Sequence, residues 1–184
     1  MLFPLLTYIS TTTASNATSV AITSGIDTTY KTYQFVISLD RVTSDGTKLR
    51  IQLSTNGGSS YGVAKVTTLF RAYHTPSSGA TSLGYYPDYD LYGGSTSVQP
   101  LMGNLGNDNS TECGRCIYTL IDPSSTIMNT NFWSVGSIMN NDNESEEVWF
   151  MSGDNAASAA VNAVKFESSA GNFYADIKLY GVGE

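Results

Sequence analysis

Apolar side chains fall at every second position in two neighbouring stretches of the chain. Tyr33, Phe35, Ile37 and Leu39 alternate with Gln34 and Ser38, and Leu49, Ile51 and Leu53 alternate with Arg50 and Gln52. A period of two turns one face of each stretch to a core and the other to water, so both are predicted to be half-buried antiparallel strands. Asp45-Gly46 is a turn dipeptide between them. Asn56-Gly57-Gly58 supplies the next corner with residues that tolerate positive φ. Near the end of the chain Phe173, Ala175, Ile177 and Leu179 repeat the pattern. So regular a strand is expected to be a paired member of a sheet.

The same reading predicts strands over residues 5–12, 17–23, 30–41, 47–54, 63–73, 97–105, 114–121, 126–139, 147–151, 161–168 and 173–181. Turn signals such as Ser24-Gly25, Gly93-Gly94, Asp122-Pro123 and Gly171-Asn172 separate them. Residues 155–163, dense in Ala, predict the one helical stretch, a turn or two long. About ten strands with little helix suit a sandwich better than a propeller or an open sheet. The fold class expected is all-β, a single antiparallel β-sandwich of jelly-roll type. No Pro/Ser-rich linker or fixed-period repeat divides the chain. Residues 1–15 are read as an N-terminal arm with the first strand, and residues 16–184 as the sandwich domain.

Charge narrows the partners. Nine Lys and Arg against 16 Asp and Glu give a formal net charge of −7, and the basic residues are scattered. Neutralising phosphates needs a basic patch, so neither nucleic acid nor an anionic membrane surface is expected as a partner. No apolar run approaches the roughly 20 residues that span a bilayer. Charged residues make up only 14% of the chain, well under the usual quarter, and Ser, Thr and 12 Tyr take their place. Such weakly charged β-proteins suit assemblies, in which much surface meets a neighbour. The start, Met1-Leu2-Phe3-Pro4-Leu5-Leu6, lacks the basic segment of a secretory signal and reads as an apolar arm. It is expected to pack either on its own domain or on a neighbouring subunit.

Candidate chemistry is thin. Cys113-Gly114-Arg115-Cys116 has the spacing of redox and zinc sites, but it runs into the strand-like Ile117-Tyr118-Thr119-Leu120-Ile121. A redox site of this kind opens a helix, and a structural zinc needs four ligands; the chain has no second Cys pair and one histidine, His74. Unreactive thiols are the main expectation, with a disulfide or a metal as the alternatives. No Gly-x-Ser-x-Gly elbow accompanies His74, so no catalytic residue is assigned and no cofactor is expected. Two acidic loops, Asn107-Asp108-Asn109 and Asn141-Asp142-Asn143-Glu144-Ser145-Glu146-Glu147, leave calcium or simple solvation open. Trp133 and Trp149 lie in strand-like runs and are expected in the core. The oddest stretch is residues 84–94, with Tyr85, Tyr86, Tyr89 and Tyr92 around Pro87 and before the Gly93-Gly94 pair. Tyrosines supply flat amphipathic contact area with few torsions to freeze. They are read as a cover for the core, a protein interface or a sugar platform.

Tyr30, Tyr33, Phe35 and Ile37, with Leu49-Arg50-Ile51, Leu53-Ser54, Gly57-Gly58-Ser59-Ser60-Tyr61 and Phe70-Arg71-Ala72-Tyr73-His74, form a framework that resembles a β-sandwich module of tailed-bacteriophage virion proteins. Phe166, Ser168, Ser169, Gly171 and the closing Ile177, Leu179, Tyr180 and Gly181 complete it. The resemblance covers residues 20–75 and 160–182, and the module occurs in capsid decoration (cement) proteins and tail fibres. It implies a non-enzymatic virion protein at the capsid surface, a homotrimer bridging subunits of the major capsid protein. The partner-binding residues expected on that basis are Leu2, Phe3 and Leu5 of the arm with Tyr85, Tyr86, Tyr89 and Tyr92. A tail-fibre or receptor-binding module that contacts a host glycan is the other expectation.

Overall fold

Pairing between distant strands organises the chain. The computed structural model describes residues 5–108, 111–142 and 145–183. Among them twelve strands follow in order: β1 (Leu6–Ala17), β2 (Ser19–Ile22), β3 (Thr32–Val42), β4 (Thr47–Ser54), β5 (Lys65–Thr75), β6 (Ala80–Tyr85), β7 (Gln99–Leu105), β8 (Gly114–Ile121), β9 (Asn131–Met139), β10 (Glu146–Asn155), β11 (Ala163–Ser168) and β12 (Phe173–Val182). One sheet has the order β1-β12-β3-β8-β9-β10-β5-β6 and the other β2-β11-β4-β7. All pairs are antiparallel.

Four of these pairings define the topology. β1 pairs with β12, β2 with β11, β3 with β8 and β4 with β7. The first strand meets the last, the second meets the last but one, and so on inward. That is a long ribbon wound into two Greek keys, which makes the sandwich a jelly roll, as the sequence predicts. The hairpins β5–β6 and β9–β10 are insertions in this ribbon. Both extend the same edge of the first sheet, beyond β8. The larger sheet therefore overhangs the smaller by four strands.

The core follows the alternation. Tyr33, Phe35, Ile37 and Leu39 of β3 face Leu49, Ile51 and Leu53 of β4, with Ile177 and Leu179 of β12 beside them, and all are buried. Gly46 turns β3 into β4 at φ +66°. Gly58 is more constrained: at φ +86°, any Cβ would stand 2.6 Å from Thr23 Cγ2. Only glycine fits that corner.

Three expectations change. Trp149 is buried, but Trp133 lies on the outer face of β9, half-buried beside Phe150. The reason is parity: Phe132 and Ser134 take the inward positions, so the residue between them must point outward. Residues 155–163 form no helix. β10 continues to Asn155, and the backbone beyond it bonds to distant partners, Ala156 N to Ala64 O at 2.8 Å and Val161 N to Pro123 O at 2.7 Å. Those tertiary bonds outweigh the helix propensity of Ala. The third change is β6, a strand in a stretch where none was predicted. It buries no side chain and exists through its backbone pairing with β5.

Candidate functional site

The overhang leaves the inward faces of β9, β10 and β5 partly without a facing sheet. β7 packs against β9 and β10, and the tyrosine segment after β6 covers what lies beyond. The segment makes one 3-10 turn at Pro87–Tyr89. Tyr89 stacks on Trp149 with ring centroids 5.7 Å apart, and Tyr86 meets the same indole at 5.7 Å. Lys48 Nζ lies 4.3 Å from the centre of the Tyr89 ring. The segment is also bolted down by polar groups: Leu69 N donates to Asp90 Oδ1 at 2.7 Å and Leu91 N donates to Thr67 Oγ1 at 2.9 Å. Partial burial raises the Asp90 carboxyl from its ordinary value, opposed by the bond from Leu69 N. Tyr85 OH donates to Asp90 Oδ2.

The four tyrosines thus divide. Tyr86 and Tyr89 cover the core, while Tyr85 and Tyr92 are 61% and 83% exposed. Of the arm residues, Leu2 and Phe3 lie outside the described residues. Leu5 is exposed, and its carbonyl accepts a bond from Gly183 N at 2.9 Å, which ties it to the end of β12.

A second exposed surface emerges from the strand register. On the outer face of the larger sheet Val36, Ile117, Val135, Phe150, Phe70 and Tyr85 stand directly opposite one another on β3, β8, β9, β10, β5 and β6. Six strands at about 4.8 Å spacing make this apolar row about 24 Å long. Phe70 and Phe150 stack at 5.0 Å, and Trp133 extends the stack at 6.5 Å. Val148, nearly half exposed, and Leu83 flank the row on one side. A groove of about 330 Å³ runs between Val36, Ile117, Val135 and Val148. The sequence carries a signal for this surface. Phe35-Val36-Ile37, Cys116-Ile117-Tyr118 and Val148-Trp149-Phe150-Met151 are continuous apolar runs, as strands covered on both faces show. An exposed apolar patch of this kind marks an interaction site.

The remaining candidates sit apart. Cys113 is exposed and Cys116 is buried on β8 facing the core, and both are free thiols. Burial pushes the Cys116 thiol up to about 12, so it stays protonated and unreactive near neutral pH. His74 is exposed on β5 opposite Glu146 of β10. Glu112 is buried and accepts a bond from Asp108 N at 2.7 Å. Asn109, Asn143 and Glu144 of the two acidic loops lie outside the described residues. Among the described residues no three His, Cys, Asp or Glu side chains gather as metal ligands would. A scan against protein-family models gives no match for the chain, and a search of curated proteins gives none.

Proposed function

We propose that the chain is a non-enzymatic structural protein of a tailed-bacteriophage virion, a decoration protein on the capsid surface. It would act as a homotrimer that bridges neighbouring subunits of the major capsid protein. The observation that carries this reading is the apolar row across six strands of the larger sheet. Its side chains take part in no core of their own, and each large one buried on a partner contributes roughly 1.5–3 kcal/mol. The sequence resemblance to virion modules supports the setting. The acidic charge of −7 supports a protein partner rather than the packaged genome. A capsid multiplies one modest contact by its symmetry, so a decoration protein holds the shell through burial repeated many times rather than through chemistry.

Phe70 and Val148 are the residues on which to test this, because both are exposed and neither supports the core. The double variant Phe70→Ser, Val148→Ser is expected to keep its folding midpoint and to lose loading onto undecorated capsids. Full loading by the folded variant would remove the row from the interface. If the variant loads fully and loses adsorption to host cells, the receptor-binding reading replaces the capsid one.

A further inference from the structure

The tyrosine segment roofs only part of the overhang. At the opposite end of β5 and β10 from Lys65, a cleft of about 380 Å³ opens between β5, the end of β7 and the β9–β10 turn. Unlike the groove on the outer face, it is lined by polar groups.

Its floor is Glu147, only 3% exposed. The carboxylate accepts bonds from Arg71 Nη1 at 3.0 Å, Trp149 Nε1 at 2.8 Å and Asn104 Nδ2 at 3.2 Å. With its acceptor sites so occupied, Glu147 positions its neighbours rather than binding a ligand itself. The group it positions is Arg71, whose guanidinium lies 4.7 Å from the ring centre of Tyr86, 5.2 Å from Tyr73 and 5.5 Å from Trp149. One ion pair fixes a guanidinium that has five N–H donors, which leaves others for the cleft. The wall is equally fixed. Asn141 N donates to Asn104 O at 2.8 Å, and Asn104 holds φ at +53°, a conformation few non-glycine residues adopt.

The chemistry of the lining selects a ligand class. An apolar molecule would strip water from amides and a guanidinium without replacing their bonds. An anion would meet a net charge of −1, since Arg71 carries +1 while Glu147 and Asp142 carry −1 each. A sugar ring suits all three features. Each hydroxyl donates and accepts, as amide, guanidinium and carboxylate partners require, and its C–H face suits the ring of Tyr73. The volume lies within the range of small-molecule sites. We propose that this cleft binds one or two units of a neutral saccharide. The inference stands on the cleft alone and is independent of where in a virion the chain sits.

The test is an amide chemical-shift titration of the full chain with glucose, galactose, mannose and N-acetylglucosamine, and with N-acetylneuraminic acid as the charged comparison. Expected are saturable shifts at Tyr73, Asn104, Asn141 and Asp142 with at least one of the four neutral sugars. Tyr73→Ala should weaken that binding by about tenfold or more, a difference readily separated from error. Asn141→Ala, on a surface turn, should do the same should Tyr73→Ala fail to fold. Phe70→Ser, Val148→Ser should leave it unchanged. The proposal is overturned if none of the four sugars gives saturable shifts there, if only the charged sugar does, or if the shifts survive both variants.

Discussion

Lys65 shows how much a single side chain can hide. It is fully buried at the start of β5 and donates from Nζ to Gln52 Oε1 at 2.9 Å and to Val63 O at 2.9 Å, both uncharged acceptors. Burial lowers its pKa to about 8 from 10.5. Between those values the unfolded chain holds the proton more tightly than the native protein, so this group makes stability rise with pH from about 8 to about 10.5. Below pH 8 the full penalty applies, about 3 kcal/mol at 1.36 kcal/mol per pKa unit. Lys65→Met keeps the bulk and removes the titration. Urea unfolding of both proteins should show the wild type gaining on the variant across that window. A difference that is flat with pH would mean that Lys65 is not buried as a titrating ammonium. Cys116 titrates in the opposite sense, its contribution being lost as pH rises from 9 towards 12, and it cancels in the comparison. Nothing in the sequence marks Lys65 as special, because its burial comes with partners elsewhere along the chain, Gln52 and the backbone of Ser95. Trp133 fails to be legible for a related reason: its facing depends on the parity set by Phe132.

Elements were legible where one face meets the core and the other meets water. β3, β4 and β12 alternate, and Ile51, Ile177 and Leu179 are buried as the alternation demands. Ile51→Ala should cost about 2–5 kcal/mol, the range for a large buried aliphatic, measured by urea unfolding. A loss near zero would place Ile51 outside the core. β6 was illegible because pairing with β5 builds it and no buried side chain announces it. β9 and β10 were recognised as strands, but Trp133, which points outward from β9, was expected in the core. Packing between elements is tested at Gly103 of β7, where an added Cβ would stand 2.9 Å from Trp149 Cη2. Tyr86 and Tyr89 hold that ring from other sides, so it has little room to yield. Gly103→Ala should destabilise by about 1–3 kcal/mol and alter tryptophan emission. Unchanged stability and emission would show that the roof over Trp149 is loose.

At the scale of the molecule, a jelly roll with two hairpins added at one edge explains the surfaces together. The added strands carry four of the six residues of the outer apolar row, and their overhang creates both the face that the tyrosine segment covers and the polar cleft. The sandwich itself was readable from alternation and turns. The surfaces were not, because the row assembles one residue from each of six strands, and only the register aligns them. As proposed, this row serves a capsid. The most direct measurement is the number of copies per virion, by quantitative mass spectrometry against the major capsid protein. Hundreds of copies are expected, in a fixed ratio to the capsid subunit. A few dozen or fewer would assign the chain to the tail, and its absence from virions would contradict the claim outright.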